Sequence, residues 1–187
     1  MNKVQLHLGC GEKYIPGFIH IDFAKHPHID YSSDIRHLSM FDDCSVDLIY
    51  CCHALEYFNR QEVVTVLKEW GRVLRVGGLI RLSVPDFESI VKVYLTYKDL
   101  DHQGILGPLY GRWQNSASNE SLYHKTAYDF RSLEKVLQSA GFSNVVRYNV
   151  DDTVHKDYDD YSQAYIPHMN RQGICISLNV EAIKIKL

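Results

Sequence analysis

Val4-Gln5-Leu6-His7-Leu8-Gly9-Cys10-Gly11 is an apolar strand running directly into a glycine turn, and Phe18-Ile19-His20-Ile21 then leads to Asp22. A turn without side-chain bulk, followed by a carboxylate at the end of the next strand, suits a nucleoside held above the edge of a parallel sheet. The dinucleotide fingerprint would require a further glycine where Tyr14 stands. A ligand with ribose but no pyrophosphate fits the spacing better, and S-adenosylmethionine is the common one.

Outward from that stretch, strands and helices alternate. Strands are expected at Val4–Leu8, Phe18–Asp22, His28–Tyr31 (ending near Asp34), Ser45–Cys52, Leu79–Val84, Val145–Val150 and Ile174–Lys186. Val63, Val66, Leu67, Trp70, Val73 and Leu74 recur at helical spacing, which predicts a helix over Glu62–Leu74 stopped by Gly77-Gly78. Further helices are expected at Phe87–Tyr97 and Asp129–Ala140. Two stretches, 99–123 and 151–173, read as excursions on the substrate side. Leu178, Val180 and Ala182 alternate with Ser177, Asn179 and Glu181, as an antiparallel or edge strand should. The βαβ succession implies an open sheet with helices on both faces.

The 187 residues, 45% hydrophobic and 23% charged, suit one domain spanning 1–187. A formal charge of −3 with scattered lysines and arginines predicts no nucleic-acid partner. No apolar run approaches the roughly 18 residues a membrane span requires, so integral membrane association is not expected. Neither is a signal peptide, because the polar start opens into a strand. The five cysteines, Cys10, Cys44, Cys51, Cys52 and Cys175, form no C-x-x-C pair, which opposes a disulfide framework and a zinc site and points to the cytoplasm. The oligomeric state is left open.

In an open sheet of this kind the ligand lies beyond the carboxyl ends of the strands. Cofactor contacts are therefore expected from Leu8, Gly9, Cys10 and Gly11, from Asp22 and Phe23, from Asp34 and Ile35, and from Cys52 and His53. Asp22 would accept from the ribose hydroxyls and Asp34 from the adenine amino group. Ile35 would give an apolar face, and the carbonyls of 51–53 would meet the ligand's ammonium group. Plainer readings exist for each: a tight turn, a cap, a loop carboxylate, a packed thiol.

The chain resembles class I S-adenosylmethionine-dependent methyltransferases, in particular the small predicted methyltransferases associated with sugar and cell-surface polysaccharide biosynthesis. The resemblance rests on Leu6–Gly11, Pro16–Asp22, Asp43–Tyr50 with His53–Tyr57, Leu67–Gly78, Ser83–Asp86, Leu133–Phe142 and Ser177–Ala182. It implies a Rossmann-like fold: a mostly parallel seven-stranded sheet with an antiparallel C-terminal strand. It also implies methyl transfer from S-adenosylmethionine to a small-molecule or carbohydrate acceptor. Tyr57 departs from that group's familiar form, which ends in Leu-Glu-His.

A sugar hydroxyl loses its proton during methylation, and histidine is suited to take it at neutral pH. His53, His124 and His155 are the candidate bases, beside transfer by proximity with no dedicated base. Tyr110, Arg112, Trp113, Tyr123 and Tyr128 are candidates for a substrate wall, or simply cover the core beneath a long loop. No metal site is expected. Two other readings compete: an inactive nucleoside- or S-adenosylmethionine-binding protein, and an NAD(P)-dependent oxidoreductase, which Tyr14 opposes.

Overall fold

The computed structural model describes residues 3–111, 113–114, 121–168 and 170–185, with backbone only at Trp113, Gln114 and Ser121. Seven strands make one sheet: β1 (Gln5–Leu8), β2 (Ile19–Asp22), β3 (Tyr31–Ser32), β4 (Val46–Cys52), β5 (Leu74–Pro85), β6 (Phe142–Arg147) and β7 (Ser177–Lys184), in the order β3-β2-β1-β4-β5-β7-β6. The first five run parallel, and β7 is antiparallel to both β5 and β6. The strand order reverses between β1 and β4, which places the glycine turn at the topological switch point.

Central β4 is buried almost throughout, as a parallel strand covered on both faces must be. One face packs on helix α1 (Glu62–Val73) through Val63, Val66, Leu67, Trp70 and Val73. Later helices are α2 (Phe87–Tyr97), α3 (Leu106–Tyr110) and α4 (Phe130–Ser139). Asp129 caps α4 reciprocally with Ser132, and Leu133 and Leu137 join the same core. The opposite face carries Leu48 and Tyr50 against Ile15 and Phe18, beneath the chain around Tyr158. Helix α2 packs on that covering chain through Ile90 and Val93 with Ile166 and Ile176. Among the described residues no helix is long and apolar enough to cross a membrane.

Several boundaries differ from the periodicity. His28 lies in a turn in which the Ile29 amide donates to the His26 carbonyl, and the third strand is only Tyr31–Ser32. Helix α1 stops at Val73. Gly77 (φ +75°) and Gly78 lie inside β5, in an irregularity where the partners of Val46 and Leu48 step from Leu74 to Leu79. The glycines therefore make a bulge rather than a helix stop. β6 starts at Phe142, immediately after the positive-φ Gly141, and Val150 belongs to a 3-10 turn. Ile174–Cys175 pairs with Tyr165–Ile166 in a separate ribbon, so β7 begins at Ser177. The 99–123 stretch holds α3 and a short ribbon of Trp113–Gln114 with Ser121–Leu122.

Candidate functional site

Buried Leu8 ends β1. Gly9 follows at φ +63°, its N–H donating to the Ile21 carbonyl at 2.9 Å. A side-chain carbon on Gly9 would lie 2.5 Å from the Cβ of Ala54 and 3.5 Å from the Cδ1 of Ile35. Only glycine lets the turn pass this close to the chain after β4. At Gly11, also at positive φ, an added carbon would meet nothing within 4 Å, so the top of the turn is open. The Gly11 N–H donates to Oδ2 of Asp22 at 2.8 Å, and the Ala24 N–H donates to Oδ1 at 2.8 Å. Asp22 is 6% exposed. Each of its oxygens keeps a further lone pair.

Trp70 ties the third loop to α1 by donating from Nε1 to the Ile35 carbonyl at 2.7 Å. Asp34 turns its carboxylate to Arg36, whose Nε and Nη2 donate to Oδ2 at 2.8 and 2.6 Å. Burial alone would raise the Asp34 pKa, but the Arg36 hydrogen bonds outweigh it and the net shift is downward. An adenine amino group would share that carboxylate with Arg36. The thiols are packing groups: burial pushes Cys10 up to about 12 and Cys52 well above the ordinary range. Phe23 follows Asp22 and is 39% exposed.

His53 follows β4 at φ +52°, an uncommon conformation for a non-glycine residue. Its amide donates to the Ser83 carbonyl at 2.8 Å, its Nε2 lies 2.9 Å from Ser177 Oγ, and its Nδ1 is 3.6 Å from Oε1 of Glu56. His124, arriving from the insertion after β5, places Nε2 3.6 Å from the same oxygen. Two of the histidines singled out by sequence thus converge on a residue that sequence reasoning missed. Glu56 sits in the 3-10 turn Leu55–Tyr57 and is fully buried; its carboxylate oxygens have no hydrogen-bond partner among the described residues. The available signal was its place in Leu55-Glu56-Tyr57, next to the Tyr57 that departs from the family's familiar form.

The third histidine is elsewhere. His155 is fully buried on the other face of the sheet, 4.1 Å from the Tyr50 ring and 3.8 Å from Asp160, and burial lowers its pKa to about 4. Tyr128 is a core residue rather than a wall: it is 0% exposed, and the Arg60 guanidinium lies 4.7 Å from its ring centre. Tyr110 and Tyr123 are exposed on the insertion. Arg112 lies outside the described residues, and nothing is described of the Trp113 side chain. Among the described residues no group of three or more His, Cys, Asp or Glu side chains is arranged to hold a metal ion.

A family model described as a methyltransferase domain matches residues 19–82, starting just past the glycine turn. Comparison with curated proteins finds no match. Among solved structures, a SAM-dependent methyltransferase from Methanosarcina mazei is similar at 15% identity and a TM-score of 0.59, over 100% of this chain and 95% of that one. A SAM-dependent methyltransferase from Archaeoglobus fulgidus gives 14% and 0.54, over 97% and 86%. A 1,6-didemethyltoxoflavin-N1-methyltransferase from Burkholderia thailandensis, solved with 1,6-didemethyltoxoflavin and S-adenosylhomocysteine, gives 12% and 0.55, over 98% and 71%. With the strand order and the antiparallel β7, these define the fold as that of class I S-adenosylmethionine-dependent methyltransferases.

Proposed function

We propose that this protein binds S-adenosylmethionine beyond β1, β2 and β4 and transfers its methyl group to a small-molecule or carbohydrate acceptor, such as a sugar hydroxyl in surface-polysaccharide synthesis. The observation that carries this reading is the Asp22 carboxylate: buried, joined to the Gly11 amide, and beside the switch point. Two acceptor oxygens with lone pairs to spare match the two hydroxyl donors of a ribose. Gly11 leaves the top of the turn open, Gly9 lets the turn pack on Ala54, and Ile35 borders the Gly9 turn on its apolar side.

Bound there, the cofactor supplies an electrophilic methyl group on a sulfonium. The chain's own work is alignment: holding the acceptor in line and excluding water. As the methyl group is taken up, the acceptor hydroxyl would lose its proton to a base of the chain or to water. His53, at the end of β4, directly precedes Ala54, on which Gly9 packs. His124 reaches the same group from the insertion. His155 is assigned no part in the reaction, because its partners are Tyr50 and Asp160. Tyr110, Tyr123, Arg112 and Trp113 are proposed as acceptor contacts on the insertion. The free cysteines fit a reducing compartment, which we take to be the cytoplasm.

Ligand-dependent melting separates this reading from the oxidoreductase. At about 100 times the Kd, S-adenosylhomocysteine is expected to add about 2.7 kcal/mol, or roughly 5–10 °C for a chain of this size, while NAD adds nothing. A shift with NAD alone would reverse the assignment. Incubation with methyl-labelled cofactor and candidate sugar acceptors then distinguishes an enzyme from a binding protein that does not turn over.

A further inference from the structure

We propose that Glu56 is a positioning residue of the transfer site, a neutral carboxylic acid whose one hydrogen serves either Nδ1 of His53 or Nε2 of His124, each 3.6 Å from Oε1, and so clasps the insertion after β5 to the end of β4. Calling this place the transfer site rests on the methyltransferase reading; the clasp itself rests on geometry alone.

The outer partners of the two imidazoles determine which nitrogens carry protons. Ser177 Oγ lies 2.5 Å from the Tyr161 carbonyl, and a carbonyl only accepts, so the hydroxyl hydrogen points there. Ser177 therefore accepts from His53, and the His53 proton is on Nε2. His124 Nδ1 lies 2.9 Å from the Pro108 carbonyl, so its proton is on Nδ1. Each neutral ring is left with a lone pair on the nitrogen that faces Oε1 of Glu56, at 3.6 Å in both cases. A carboxylate there would face two lone pairs with its own oxygens shut off from water. A carboxylic acid has the one hydrogen this arrangement lacks.

Electrostatics agree with the geometry. Burial pushes Glu56 up to about 8 and His53 down to about 3, and it also lowers His124. The other titratable groups near Glu56 are Cys51, Tyr57 and Tyr128, none of them cationic. Arg60 lies over the Tyr128 ring, and Lys125 Nζ is 3.7 Å from Glu62.

The clasp joins distant parts of the chain. The Glu56 carbonyl accepts from the Lys125 amide at 2.9 Å, and the Tyr110 carbonyl accepts from the His124 amide at 2.7 Å. A side-chain carbon on Gly111 would come 2.1 Å from His124 Nε2, so the insertion runs directly against the ring. His53 lies one residue before Ala54, the residue that Gly9 packs against. Proton loss from Glu56 would thus loosen the insertion from the end of β4.

Two measurements on the protein without cofactor test this. Long-range proton–nitrogen correlation at pH 7 is expected to show His53 protonated only at Nε2 and His124 only at Nδ1. An imidazolium, or a proton on either inward nitrogen, would overturn the clasp. The second is the melting temperature of Glu56→Gln relative to wild type. Glu56 has its pKa raised on folding, so its stability contribution is present below the unfolded value and is lost as pH rises toward 8. Glutamine keeps a donor and does not titrate. The difference, variant minus wild type, is expected to become more positive by roughly 5 °C or more from pH 5 to 8. A constant difference across that range contradicts the proposal. If S-adenosylhomocysteine fails to bind while both results hold, the methyl-transfer reading falls and the clasp stands.

Discussion

Asp22→Ala is expected to weaken S-adenosylhomocysteine binding by roughly 100-fold or more while leaving the chain folded. The reason is that one carboxylate does two jobs. It would receive the ribose hydroxyls, and it already accepts the amides of Gly11 and Ala24 at 2.8 Å each. Hydrogen bonds to a charged group contribute about 1.5–3 kcal/mol apiece, and the loss of two gives a factor of 100 or more. Freed from Oδ2, Gly11 also loses its own bond to β2, and the turn is then held there only by the Gly9 amide on the Ile21 carbonyl. The fold is expected to survive because the core against α1 and α4 does not include Asp22. Asp22→Asn should be nearly as damaging, since its amide group would present a donor to a backbone N–H. Calorimetric titration of both variants checks this, and unchanged affinity in Asp22→Ala would remove Asp22 from the site.

Trp70→Ala carries the largest expected loss of stability, about 3–5 kcal/mol. Trp70 has no solvent exposure and is among the largest fully buried side chains. It also donates to the Ile35 carbonyl, so the substitution empties core volume and leaves a loop carbonyl without its donor. Urea denaturation should show a lower midpoint with an unchanged slope. Trp70→Phe separates the two effects, keeping most of the volume and losing the hydrogen bond. Because Ile35 borders the Gly9 turn, Trp70→Phe should also weaken cofactor binding more than its modest stability loss implies.

The first loop was legible because its chemistry is local. Gly9 and Gly11 announce a turn at positive φ, and the distance to Asp22 is too short for an intervening helix, so the carboxylate had to fall beside the turn. Periodicity identified α1 and α2 for the same reason: each buries one stripe. The two-residue β3 is too short to show a pattern, and the bulge at Gly77 carries the same residues as a helix stop. Glu56 was illegible in a different way. An acidic side chain reads as solvent-facing, and the neighbours that enclose it include His124, from 68 positions later in the chain. His155 and Tyr128 fail in the opposite sense. Both have the side chains of a site, but packing puts one on Tyr50 and the other in the core.

The central claim is that a sulfur-bearing nucleoside lies across the glycine turn with its ribose on Asp22. A crystal structure of the protein with S-adenosylhomocysteine tests it most directly. The expected result is both ribose hydroxyls within hydrogen-bond distance of the Asp22 carboxylate, with the ligand's sulfur directed toward the end of β4 near His53. A ligand bound elsewhere, or a ribose facing away from that carboxylate, would contradict it.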